Sequence, residues 1–287
     1  MDRRYIQLYD EFTHGCMPRR EFLSRLARLA GSAAAASLLL PLLENRYAQA
    51  ATVAEDAAGL ETDRKRIESP AGKIDCYVAR PKGQPKRRPA VVVIHENRGL
   101  NAHIEDVTRR LGLAGFFAVA PDALSASGGT PADEDEARKR IGELDPEAAL
   151  ATCLAAVHFA AKHDRSTGKV GCVGFCWGGA MSGRLAANAA NLAAAVVFYG
   201  MPPEPIEVAR IRVPMLLNYA GNDQRINDAV PAFEKALKAA NVRYEKHIYP
   251  GVEHAFHNDT NAARYDVAAA KRAWQRTIEF LTRELAG

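Results

Sequence analysis

Residues 169–187 read KVGCVGFCWGGAMSGRLAA, and the order of residue types in that stretch decides the fold. A β-branched strand runs into Gly-x-Cys-x-Gly-Gly and then into a run of helix formers. A strand that enters a helix through glycines can turn too tightly for side chains with bulk, which lifts the central residue, Cys176, above the sheet edge. The pattern predicts a nucleophile elbow with sulfur in place of a serine oxygen. The helix that follows aims its unpaired N–H groups and the positive end of its dipole at the sulfur, an arrangement suited to a nucleophilic cysteine. A lone cysteine is more often a buried structural residue. Its place inside this motif, at a strand-to-helix joint, favours the elbow.

Outward from the elbow, strand and helix signals alternate. Ile74 to Arg80 reads as an edge strand, and Ala90 to His95 (AVVVIH) is a continuous apolar run of the kind buried on both faces of a parallel sheet. A helix pattern covers His103 to Ala114, Phe116 to Ala120 is the next strand, and Pro121 to Pro131 is a loop. Helices follow over Asp133 to Leu144 and Pro146 to His163. After the elbow, strands cover Ala194 to Tyr199, Pro214 to Tyr219 and Arg243 to Tyr249, and Ala262 to Leu285 closes the chain as a helix. This alternation predicts an α/β fold with one doubly wound, mostly parallel sheet flanked by helices, its reactive groups on loops at the carboxyl ends of strands. Two later strands run into such loops, one carrying Asp223 and the other His254. A histidine that takes a proton from sulfur needs a carboxylate on its other nitrogen, and Cys…Asp…His is the nucleophile, acid, base order of the α/β-hydrolase arrangement. Asp228 and His257 are the alternatives, although Asp228 reads as a helix N-cap and His257 lies a turn further on.

The chain has 287 residues, 48% hydrophobic and 25% charged, with a formal net charge of +4 and no long basic block, so nothing points to nucleic acid. Cysteines 16, 76, 153, 172 and 176 show neither paired C-x-x-C nor zinc spacing, and neither a metal nor a cofactor is implied. The first fifty residues read as separate from the fold. Arg19-Arg20-Glu21-Phe22-Leu23 precedes a modestly apolar run to Leu43 and then Ala48-Gln49-Ala50, which resembles a twin-arginine export signal cut after Ala50. The alternative is an amphipathic N-terminal helix. A permanent membrane anchor is disfavoured, because Pro41 breaks a run shorter than the roughly 20 residues a span needs. The expectation is a periplasmic or secreted protein, with residues 1–50 removed and 51–287 forming one domain.

The motifs HENRG (95–99), APD (120–122), GFCWGG (174–179), FYG (198–200), GNDQRI (221–226) and PGVEHAF (250–256) together resemble the dienelactone hydrolase family of α/β-hydrolases. The resemblance implies Cys176 as nucleophile, His254 as base, Asp223 as its orienting acid and Glu96 beside the resting cysteine. It also implies an oxyanion hole from the backbone N–H groups of Trp177 and Asn97. Two places where family members commonly grip a substrate carboxylate with arginine read Ala123 to Ser127 and Ala255 to Asn258 here. Arg98 could compensate, while Trp177, Tyr199 and Phe256 suit a neutral, partly apolar acyl group. The expected activity is that of a carboxylic-ester or lactone hydrolase of the carboxymethylenebutenolidase type, acting on a small molecule without a cofactor. A thioesterase or peptidase on the same scaffold is one alternative, and a thiol redox or binding protein is another. The oligomeric state stays open.

Overall fold

The computed structural model describes the chain except residues 16, 48–51, 70, 71, 84, 85 and 287. Strands β1 (Leu60–Ser69), β2 (Gly72–Pro81), β3 (Arg88–Ile94), β4 (Phe117–Pro121), β5 (Ser166–Phe175), β6 (Leu192–Phe198), β7 (Met215–Ala220) and β8 (Tyr244–Tyr249) form one sheet in the order β1-β2-β4-β3-β5-β6-β7-β8. β2 pairs antiparallel with both β1 and β4, and every pairing from β4 to β8 is parallel. Helices α4 (Ala102–Leu113), α5 (Glu134–Glu143), α6 (Pro146–Lys162), α7 (Trp177–Asn188), α8 (Pro205–Val208), α9 (Gln224–Asn227), α10 (Val230–Ala239) and α11 (Val267–Leu285) connect or flank the strands. Val91 and Val93 face one helical layer with Ile104, Val107 and Phe280, while Val92 and Ile94 face the other with Leu150, Val157 and Leu185. That two-sided burial is why β3 is apolar at consecutive positions.

The sheet edge corrects the sequence reading. β2 is an inner strand, and the edge is β1, LETDRKRIES, whose mostly exposed charged side chains carry little strand pattern. The last helix starts at Val267 rather than Ala262, where the Asp266 carboxylate accepts from Ala269 N–H and caps it.

Ahead of the sheet lie α1 (Arg3–His14), α2 (Arg19–Ala30) and α3 (Ala33–Leu43). Asp2 caps α1, Gly31 ends α2 in the left-handed region at φ 85°, and Ser32 caps α3. Tyr9, Phe12, Phe22 and Leu26 form a satellite core, with Phe12 and Phe22 stacked at 4.5 Å. At about 1.5–3 kcal/mol per buried large side chain, this core fixes the three helices to one another. They are also tied to the body: Asn261 Nδ2 donates to Leu43 O (2.6 Å), and Arg264 Nη1 pairs with Asp10 (2.7 Å). The sequence reading set this segment apart from the fold, and in the structure these contacts hold the described helices beside it. No single described helix is long and apolar enough to cross a membrane; α2 and α3 pass together by length and composition but are bent by 113°.

Candidate active site

At the end of β5 the backbone of Cys176 adopts φ 54° and ψ −113°, a conformation side chains rarely take. The surrounding glycines are there for space. A Cβ on Gly174 would stand 1.9 Å from Gly178 O, and one on Gly178 would stand 2.3 Å from Ile94 O. Strand and helix therefore approach closely enough to hold the elbow, which Cys176 N–H further pins by donating to Phe198 O at 3.0 Å. Trp177 is the first residue of α7, so its N–H has no carbonyl one turn back to bond. The Asn97 N–H also lacks an acceptor among the described residues. Asn97 and Trp177 line a cavity of about 910 Å³ that opens on Cys176.

Asp223 follows β7 and His254 follows β8, which brings two residues 31 apart into contact: Asp223 Oδ2 lies 2.5 Å from His254 Nδ1. The other carboxylate oxygen accepts from Ile226 N–H (3.3 Å), so Asp223 also caps α9. Both side chains are buried. Burial opposes a charged imidazole, but the Asp223 carboxylate and then the Cys176 sulfur outweigh it and lift His254 to about 10. Burial likewise opposes the Asp223 charge, and His254 prevails, holding that carboxyl below its usual range. Asp228 is not a helix N-cap: it ends α9, and Ala229 precedes α10. His257 lies away from the pair, stacked on Phe175 and close to Trp274.

The sulfur has a neighbour that the sequence reading missed. His14, at the end of α1, puts Nε2 at 3.3 Å from Cys176 Sγ, and its ring meets that of His254 edge-on with centroids 4.5 Å apart. The sulfur and one ring nitrogen from each histidine lie within 4.8 Å of one another. Their donor types would suit a soft metal ion. His254 engages Asp223 through Nδ1, and His14 Nδ1 faces Asp10 O at 3.1 Å. Burial comes first, followed by His254, Arg225 and Arg264, in pushing His14 well below the ordinary histidine value.

The remaining expected residues divide. Glu96 is buried and accepts from Asn258 Nδ2 (2.6 Å) and Tyr199 OH (3.3 Å). It lines a small cavity with Cys176, His254 and Arg264, but no hydrogen bond joins it to the sulfur among the described residues. Tyr199 lines the main cavity, with a backbone φ of 39°. Phe256 is fully buried against Tyr199, Tyr249 and Phe198 and lines neither cavity. Arg98 is 4% exposed, paired with Glu134 (3.3 Å) and donating to Asn97 Oδ1 (3.2 Å). It props the Asn97 loop from within. Arg225 instead lines the main cavity, exposed and without an ion pair among the described residues. Cys172 sits in the opposite core layer, its sulfur 4.0 Å from Ser182 O and its thiol pushed up to about 12 by burial, so it does not partner Cys176.

The chain matches the Dienelactone hydrolase family over residues 74–285. A curated relative from Escherichia coli (strain K12), described as "Putative carboxymethylenebutenolidase", is 34% identical over 229 residues, covering 75% of this chain and 84% of the relative. A protein of the same description from Saccharolobus solfataricus is 32% identical over 254 residues, covering 75% of this chain and 96% of that protein. Among solved structures, "Crystal Structure of Putative Dienelactone Hydrolase from Klebsiella pneumoniae subsp. pneumoniae MGH 78578" superposes with a TM-score of 0.72 at 30% identity, over 78% of this chain and 99% of that one. A thermostable esterase from Pseudomonas putida ECU1011 superposes with a TM-score of 0.65 over 99% of this chain and 98% of that one. At 17% identity, that likeness speaks to the fold alone.

Proposed function

The chain belongs to the dienelactone hydrolase family of ester and lactone hydrolases, and on that premise we propose a reaction of the carboxymethylenebutenolidase type, with Cys176 as nucleophile, His254 as acid and base, and Asp223 as the orienting carboxylate. The observation that carries this reading is the convergence of an elbow cysteine and a buried Asp–His pair on one sheet edge.

Acylation starts when the Cys176 proton has passed to His254 and the thiolate attacks the carbonyl carbon, forming a C–S bond while the carbonyl electrons move to oxygen. The N–H groups of Trp177 and Asn97, which have no acceptor among the described residues, are suited to hold that oxyanion. Collapse breaks the C–O bond, and the imidazolium gives its proton to the leaving oxygen. A lactone substrate keeps that alcohol on the acyl chain. Acylation also consumes the sulfur charge, one of the groups that raise His254, so the imidazole is freer in the acyl-enzyme to accept a proton from attacking water. Hydrolysis then releases the acid and restores the thiol.

Arg225 on the cavity wall supplies a cation for a carboxylate-bearing substrate where the usual arginine positions are empty, and the open apolar wall near Trp177 and Met201 suits the acyl chain. We also propose that Arg19-Arg20 marks a twin-arginine export signal, a reading that rests on sequence; its Ala48-Gln49-Ala50 cut site lies outside the described residues. The test of the activity is a screen of lactones, aryl esters and thioesters. Turnover of an ester or lactone that is lost in Cys176→Ala supports the reading, and turnover unchanged in that variant sinks it.

A further inference from the structure

We propose that Asp259 is a positioning residue for this reaction: its carboxylate clips the loop that carries His254 to α4 and to the chain just past the Ala50 cut, and so holds the base in register with the Asn97 loop. This rests on the reading of His254 as the acid and base.

Helix α4 carries a buried polar stripe where packing on a sheet alone calls for apolar residues. His103, Asp106 and Arg109, three apart, are 0%, 0% and 6% exposed. Buried charged and polar groups need partners, and these find them in two separate segments. Asp106 Oδ1 accepts from Val53 N–H (2.7 Å) and Arg109 Nε donates to Val53 O (2.7 Å), so both main-chain groups of one residue are held. His103 Nδ1 lies 3.0 Å from Asp259 Oδ1, and Arg110 pairs with the other carboxylate oxygen. Thr52 closes the ring: its hydroxyl donates to Asp259 Oδ2 (3.0 Å) and accepts from Arg110 Nη2 (2.8 Å). Burial opposes the Asp259 charge, but His103 and then Arg110 prevail and hold the carboxyl far below its usual range. The clip is charged at neutral pH.

Its place in the chain links it to the chemistry. Asp259 stands five residues past His254, and α4 begins five residues past Asn97. Between His254 and Asp259 the chain has little freedom. Ala255 lies in the left-handed region at φ 62°, Asn258 N–H donates to Ala255 O (2.9 Å), and Thr260 Oγ1 donates to Asn258 Oδ1 (2.6 Å). Asn258 Nδ2 donates in turn to Glu96 Oε2 (2.6 Å), a second tie between the same two loops, beside Asn97. A stiff loop fixed at Asp259 therefore fixes His254 against the oxyanion donors. Little displacement is tolerated there, since a misplacement of about 1 Å costs on the order of a hundredfold in rate. Thr52 and Val53 are the second and third residues after the proposed cut, so the clip keeps every member once residues 1–50 are removed.

Steady-state hydrolysis of a neutral aryl ester by the enzyme as isolated, its N-terminus read by mass spectrometry and urea unfolding followed on the same samples, tests the proposal. Asp259→Asn keeps the shape of the side chain and loses the charge. Its kcat per folded molecule should fall about tenfold or more while KM stays within about twofold, because the base moves and the cavity that binds the acyl group does not. Thr52→Val exchanges the hydroxyl for a methyl group and should lower kcat about three- to tenfold, whereas Thr52→Ser restores the hydroxyl and should stay within about twofold of wild type. A urea midpoint that falls while kcat and KM hold would show a role in stability alone and overturn the proposal, as would equal losses in Thr52→Ser and Thr52→Val. His254→Ala separates the two failures. Full turnover in that variant would overturn the reading of His254 as the base, and turnover lost there but kept in Asp259→Asn would overturn this proposal alone.

Discussion

Asp223→Asn isolates the contribution of one charge, because the amide keeps the shape of the side chain and the oxygen that caps α9. In the wild type, His254 titrates at about 10 although burial works against its charge. Without the carboxylate at 2.5 Å, burial dominates and the value should fall below the ordinary 6.5. A fall of that size corresponds to about 4–5 kcal/mol at ~1.36 kcal/mol per pKa unit. If most of this is felt when the imidazolium protonates the leaving oxygen, kcat/KM drops about a thousandfold. The assay is hydrolysis of a neutral aryl ester across neutral and alkaline pH, with urea unfolding on the same samples. The wild type should lose activity as pH rises through about 10, and the variant at much lower pH. Stability follows by linkage. A raised histidine value stabilises the fold fully below the unfolded 6.5 and loses that contribution as pH rises towards about 10, so the wild type should weaken across that window and Asp223→Asn should not. The lowered Asp223 carboxyl acts in the opposite direction, contributing above its unfolded 3.8 and losing that as pH falls. Near-wild-type kcat/KM with an unmoved alkaline limb would refute the reasoning.

Gly178→Ala puts a Cβ 2.3 Å from Ile94 O and 2.4 Å from His95 O, both main-chain atoms, so urea melts should show a loss of about 3 kcal/mol or more. Arg225→Ala should lower kcat/KM for a carboxylate-bearing lactone about tenfold or more beyond any effect on a neutral ester, as expected for one charge-assisted contact; equal effects would mean that it grips no substrate. Arg98→Ala, which removes the ion pair with Glu134 and the donor to Asn97 Oδ1, should depress both substrate types together, and selective loss of the anionic one would show direct contact. Changing Arg19 and Arg20 to lysine should hold the protein in the cytoplasm, which fractionation reads directly; unchanged export would exclude the twin-arginine route.

The elbow and the parallel strands are legible because their constraints are local. Only glycine fits at 174 and 178, and a strand buried on both faces must be apolar throughout. Cys176, Asp223 and His254 follow from the same logic, since each sits where a strand ends. β1 escapes notice because an exposed edge strand has little reason to alternate, and α10 because only Val230, Phe233 and Leu237 mark its buried side. Asp228 misleads because Asp223 serves both as the histidine's partner and as the cap of α9. His14 could not be read at all from its neighbours, because its meaning depends on a sulfur 162 residues away. The available signal was indirect: Ile6, Tyr9 and Phe12, three apart, give α1 a buried stripe that a leader without a docking surface does not need. The arginine pair drew attention to export, although Arg19 also bonds Glu44 and Asp135 across the docked segment.

The central claim is a covalent acyl group on Cys176, and rapid acid quench of the enzyme during turnover of a slow aryl ester tests it most directly. Intact-mass and peptide spectra should show one added acyl group, confined to the peptide that carries Cys176, labile to hydroxylamine, longer-lived in Asp223→Asn and absent from Cys176→Ala. Continued turnover by Cys176→Ala, or an acyl group recovered on any other residue, would contradict it.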